Sequence, residues 1–154
     1  MRLHDLVGGT AHVCGPDTTI EDAAAAMSAS GHGSLGVVEG GALVGVVTER
    51  DLVRALGAGH GAGDLVRRWM TPDPDVFDPG VDVFEAAQWL LESGYRHLPV
   101  VSESGRLLGV VSVTDVLAGV LDSIEEEEDF AEDDGTDGLS ADLDASAGSH
   151  STTD

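Results

Sequence analysis

Residues 45–51 read "GVVTERD" and residues 109–115 read "GVVSVTD". A glycine, two valines, a hydroxyl and an aspartate recur, while Glu49-Arg50 becomes Val113-Thr114. A recurrence of this kind must be followed outward first, because a missed repeat misassigns the whole fold. At an offset of 63, Val13 matches Val76, Pro16 matches Pro79, Ala23-Ala24 matches Ala86-Ala87, Ser30-Gly31 matches Ser93-Gly94, and Val37-Val38 matches Val100-Val101. One extra residue then enters where "EGGAL" becomes "SESGRL", and the offset becomes 64 through Leu43/Leu107 and Asp51/Asp115. A turn between strands is where a structural repeat tolerates an insertion.

Each copy predicts the order β-α-β-β-α. A short extended segment ("AHVC", "PDVF") leads into a Pro-containing turn. A helix follows, with Ile20, Ala23, Ala24 and Met27 on one stripe and Val83, Ala86, Ala87 and Leu90 on its counterpart. Thr18/Glu21 and Asp82/Glu85 have capping-box spacing. Two strands joined by a Gly-containing turn come next, then a short helix. Between the copies, "GDLVRRWMT" predicts a linking helix with Val66 and Met70 facing inward, matched at the N-terminus by Leu3 and Val7. The expected fold class is α/β (α+β), with two tandem repeats over 1–60 and 61–121.

The 154 residues carry 29 acids against 7 basic residues, a formal charge of −22, and every basic residue is arginine. Phosphate neutralisation needs a basic face, so no nucleic acid or anionic membrane is expected as a partner. At about 1 M salt the Debye length is about 3 Å, so dense carboxylates repel one another little there. Abundant acids without lysine therefore point to a halophilic, salt-loaded cytoplasm; a GC-rich genome would explain the missing lysine but not the charge. Residues 122–154 hold 13 of the acids and neither Lys nor Arg. They predict a disordered acidic tail, helical at most as far as Glu128. Cys14 is the lone cysteine, which excludes an intrachain disulfide. No apolar run approaches a membrane span, and the N-terminus lacks a signal-peptide core. The expected location is cytoplasmic.

The pattern of Pro, Ala-Ala helix, "LPVV" (98–101), L-x-G-V-V and Thr/Ser-x-x-Asp, present twice over about residues 1–121, resembles a CBS-domain pair, or Bateman module. The resemblance implies two halves packed about a pseudo-twofold axis with two clefts between them. It implies adenosine-containing ligands there: AMP, ADP, ATP, S-adenosylmethionine or NAD(H), with no covalent cofactor. It also implies a homodimer and an unknown regulated protein as partners.

Thr48/Asp51 and Ser112/Asp115 sit where a strand hands over to a helix. Helix N-termini offer unpaired N–H groups to phosphate, and a carboxylate nearby can accept from a ribose diol. The resemblance gives these four residues ribose and ribose-phosphate contacts. The same spacing is also a capping box, and both readings hold if the cap occupies the site when no ligand is there. Arg96 and His97 precede a strand and suit phosphate, whereas the first copy has Gly33 and Ser34. The two sites are expected to differ, with the Ser112/Asp115 copy, near Arg96 and His97, the stronger. Residues around Cys14 and Phe77 are expected to flank the base, and Val13 and Val76 to be core. Glu49 and Arg50 read as helix surface.

No Ser-His-Asp pattern, P-loop or zinc-type cluster is present, and the six histidines are too scattered to claim a metal. The chain reads as a stand-alone regulatory module rather than an enzyme. The alternatives are a ligand-independent dimerisation scaffold and a Mg²⁺-responsive module.

Overall fold

The computed structural model describes residues 1–129, so of the acidic tail expected over 122–154 the part from 130 onward lies outside the described residues. The first half contains β1 (Val13–Cys14), α1 (Ile20–Ser30), β2 (Ser34–Glu39), β3 (Ala42–Thr48) and α2 (Glu49–Gly57). The second contains β4 (Thr71–Pro72), α3 (Val83–Ser93), β5 (His97–Val101), β6 (Leu107–Ser112) and a helix α4 over 113–129. Helix α4 thus runs past Leu121 into the acidic run.

Both first helices bury one stripe and end on a glycine. Ile20, Ala23 and Met27 are buried on α1, as are Val83, Ala86 and Leu90 on α3. Gly31 (φ 72°) and Gly94 (φ 76°) take the left-handed conformation that stops each helix. The start of α1 is one residue later than the spacing predicts. Thr19 caps it by accepting from the Asp22 N–H at 3.1 Å, while Thr18 Oγ1 closes the preceding turn by accepting from the Gly15 N–H at 3.0 Å. Asp82 does cap α3, accepting from the Phe84 N–H at 2.9 Å. Two further expectations shorten. The linking helix is a 3-10 turn, Val66–Arg68, although Val66 is fully buried. The strand expected at 74–77 is a single parallel bridge, Phe77 to Val100.

The halves exchange their leading segments. Leu3 N–H donates to the Val81 carbonyl and His4 N–H to that of Pro79. At the same offset of 63, Val66 N–H donates to the Thr18 carbonyl and Arg67 N–H to that of Pro16. Leu3 therefore belongs to the core of Leu98, Val100 and Val116, whereas Val66 belongs to that of Leu35, Val37 and Val47. β4 completes this exchange by pairing antiparallel with β3, giving the sheet β1-β2-β3-β4 beside the hairpin β5-β6.

Glycines let the pieces close. A Cβ at Gly36 would stand 2.4 Å from Leu107 Cδ2 of the second half, and one at Gly45 would stand 2.6 Å from Met70 Sδ and 2.9 Å from the Thr71 carbonyl oxygen. Val13 and Val76, expected in the core, are 48% and 51% exposed. Their neighbours Cys14 and Phe77 pack against the two cores instead, and strand side chains alternate faces.

Candidate functional site

The exchange of leading segments builds two unequal cavities from residues of both halves. The larger, about 640 Å³, is walled by the β3–α2 junction (Thr48 to Asp51), the segment Thr71 to Asp75, the entry to β5 (Tyr95 to His97) and the β6–α4 junction (Ser112 to Thr114). The smaller, about 160 Å³, is lined by Asp115, Thr10, His12, His32, Ser34 and Leu108 among others.

Asp51 is the best-held carboxylate of the larger cavity. It is 6% exposed. Its Oδ2 accepts from the Thr48 N–H at 2.9 Å and from the Thr48 hydroxyl at 3.1 Å, and the Asp51 N–H donates back to Thr48 Oγ1 at 3.3 Å. This is a complete capping box. Arg54 Nη1 pairs with the other oxygen, Oδ1, at 3.0 Å. The Arg54 guanidinium also lies 5.7 Å from the Trp69 ring centroid, and Trp69 Nε1–H donates to Asp64 Oδ2 at 2.7 Å. One helical turn thus ties Asp51 to the inter-repeat segment. The matching position on α4 is Ala118, so Asp115 has no such clamp. Asp115 is exposed and keeps only the cap, with Ser112 and Asp115 exchanging N–H donations at 3.1 Å each.

His97 is half-buried at the start of β5, opposite Ser112. Burial, and then the adjacent Arg96 guanidinium, hold its imidazole below the ordinary value of 6.5, with Asp115, Glu49 and Asp51 pulling the other way. At neutral pH it is a neutral hydrogen-bonding group beside a permanent cation. In the smaller cavity, the His12 and His32 rings lie 4.4 Å apart, centroid to centroid.

Five of the eight residues expected at a ligand, Thr48, Asp51, Arg96, His97 and Ser112, line the larger cavity. Asp115 lines the smaller one. The pair expected beside Arg96 and His97 is therefore split: Ser112 shares the larger cavity with them and with Thr48–Asp51, whereas Asp115 lines the smaller one. Antiparallel pairing of β5 with β6 brings the start of β5 to the β6–α4 junction, and the packing of the halves turns that edge toward α2. Cys14 and Phe77 line neither cavity. Cys14 packs on the first core, where burial raises its thiol, and Phe77 meets the edge of Trp89 at 4.7 Å.

Glu49 and Arg50, read as helix surface, line the larger cavity, and Glu49 occupies space that the missing side chain of Gly33 leaves, 3.4 Å from where a Cβ would stand. Sequence reasoning also missed Asp73, Trp89 and Tyr95, whereas Asp75 belongs to a segment expected to flank the base. The offset that aligns 71–75 with 8–12 carried a signal for the two aspartates, since both segments lead into the first extended segment of a repeat.

The profile described as "CBS domain" matches residues 5–58 and 62–122. An "Uncharacterized 17.7 kDa protein in bps2 3'region" of Acidianus ambivalens is 35% identical over 122 residues, spanning 79% of this chain and 74% of that protein. Among solved structures, a CBS-domain containing protein of Agrobacterium tumefaciens superposes with a TM-score of 0.70 at 29% identity, over 77% of this chain and 98% of the other. CBSX2 of Arabidopsis thaliana, solved in complex with AMP, superposes with a TM-score of 0.66 at 29% identity, over 79% and 96%. Longer relatives contain the same unit as a part: the chain spans 20% of an inosine-5'-monophosphate dehydrogenase of Korarchaeum cryptofilum, at 38% identity.

Proposed function

Because this chain belongs to the CBS-domain family and carries two copies of the domain, we propose that it is a regulatory module that binds an adenine nucleotide or related adenosine ligand in its larger cleft and signals occupancy to a partner protein. The observation that carries this reading is Asp51. Its buried carboxylate is fixed by Thr48 and Arg54 inside a cavity of about 640 Å³ shared by both halves, beside Arg96 and His97. Such a carboxylate suits two ribose hydroxyls, and the guanidinium suits a phosphate. The likeness to CBSX2 with AMP supports the ligand class. Ribose hydroxyls would then replace the Thr48 hydroxyl as donors to the Asp51 carboxylate. Signalling follows if the ligand binds one arrangement of the halves better than another.

Thermal unfolding in about 2 M KCl, where exposed charges are screened, with AMP, ATP, S-adenosylmethionine or NADH tests it. A ligand-specific rise in Tm that Asp51→Ala removes is the expected outcome. No shift with any ligand sinks the proposal and favours a ligand-independent scaffold.

That second reading has its own observation. Val53 and Leu56 on α2 are 68% and 59% exposed, and Leu117 and Leu121 on α4 are 53% and 60% exposed. Leu117, Leu121 and Ile124 follow helical spacing along the outer face of α4. A homodimer would cover these faces. Light scattering is expected to give twice the chain mass for the wild type and the monomer for Leu117→Glu/Leu121→Glu; a monomeric wild type removes the dimer. The acidic composition fits a halophilic cytoplasm, and no helix among the described residues is long and apolar enough to cross a membrane.

A further inference from the structure

The charge lining the larger cavity limits what can occupy it. Arg54 pairs with Asp51 and neutralises it locally. Three carboxylates remain on the walls, Glu49, Asp73 and Asp75, against two guanidiniums, Arg50 and Arg96. His97 adds no charge at neutral pH, because burial and Arg96 keep its imidazole deprotonated. The rim bearing two of the carboxylates is stiff. Pro72 and Pro74 flank Asp73, which holds a left-handed φ of 43° and donates its N–H to the Val44 carbonyl at 3.1 Å. The smaller cavity has a single carboxylate, Asp115, so this acidic wall belongs to the larger cleft alone.

We propose that the larger cleft selects an adenosine ligand whose 5′ substituent is uncharged, cationic or a single phosphate, and discriminates against di- and triphosphates. This rests on the reading of that cleft as the nucleotide site. A single phosphate is matched by Arg96 and Arg50. Each further phosphate adds negative charge where the remaining lining groups are Glu49, Asp73 and Asp75, and like charges brought within a few Å repel. A sulfonium substituent meets the same carboxylates as attraction.

The test is Mg²⁺-free calorimetry with AMP, S-adenosylmethionine and ATP, at about 0.15 M and about 2 M KCl, which change the screening length. Wild type is compared with Asp73→Asn/Asp75→Asn. Asparagine tolerates the left-handed φ at 73, so the variant removes charge and keeps the rim. AMP and S-adenosylmethionine are expected to bind at least about tenfold more tightly than ATP at the lower salt. The ATP deficit is expected to shrink at the higher salt and in the double variant. ATP binding as tightly as AMP at the lower salt, or a deficit unchanged by the double variant, overturns the selectivity while leaving nucleotide binding intact. Binding of no ligand in either salt overturns the nucleotide reading, and the selectivity falls with it.

Discussion

At the scale of single residues, Asp51 and His97 set the character of the larger cleft. Asp51 does two jobs, and a substitution must separate them. Alanine removes the Asp51 half of the capping box, leaving the Thr48 N–H without its acceptor while Thr48 Oγ1 still accepts from the N–H of residue 51, and it strands Arg54. Asparagine keeps an acceptor for the Thr48 N–H while removing the charge. His97 gives a pH signature. Its folded-state pKa lies below the ordinary 6.5, so near that pH the unfolded chain binds more protons than the folded one. Stability from this group is complete above about pH 6.5 and is lost as pH falls through that value toward the folded pKa. Urea midpoints measured from pH 8 to pH 5.5 are expected to fall more steeply in the wild type than in His97→Gln; parallel curves would mean that the imidazole titrates freely. Among these residues, identity was legible and partnership was not. Thr48, Asp51, Arg96 and His97 stand out by spacing and type, but which carboxylate faces Arg96 depends on a packing angle that no local pattern encodes.

Among the elements, those internal to one repeat were legible and those that cross between repeats were not. The stripes of α1 and α3, their glycine stops and the two hairpins follow from apolar period and turn residues. The linking segment makes a single turn, Val66–Arg68, because the chain is drawn into pairing with β3 at Thr71-Pro72 and Pro72 has no N–H to continue a helix. β4 has no strand signature, and forms because Gly45 lets Thr71 and Met70 lie against β3. Gly45→Ala would drive a Cβ into a backbone oxygen at 2.9 Å and a sulfur at 2.6 Å. Overpacking of this kind costs about 1–3 kcal/mol, and it would also move the cleft rim at 71–75. Gly57→Ala, at the exposed end of α2 with nothing within 4 Å, is the control. It is expected to be neutral or stabilising by up to about 1 kcal/mol. Denaturant midpoints check both; equal effects would mean that β3 and β4 are not closely packed.

For the whole molecule, the pseudo-twofold arrangement makes two clefts from one repeated motif, and sequence drift makes them different. One has a clamped, buried Asp51, Arg96 and about 640 Å³; the other has an exposed Asp115, two adjacent imidazoles and about 160 Å³. On the proposed function, "GVVTERD" supplies the carboxylate of the principal site and "GVVSVTD" that of the lesser one. The most direct test is calorimetric titration of AMP into the wild type, Asp51→Asn and Asp115→Asn in about 2 M KCl, where the large negative charge of the chain is screened. Binding that Asp51→Asn abolishes or weakens by at least about tenfold, and that Asp115→Asn leaves nearly unchanged, is the expected result. Loss in Asp115→Asn with full binding in Asp51→Asn, or no binding by the wild type, would contradict it.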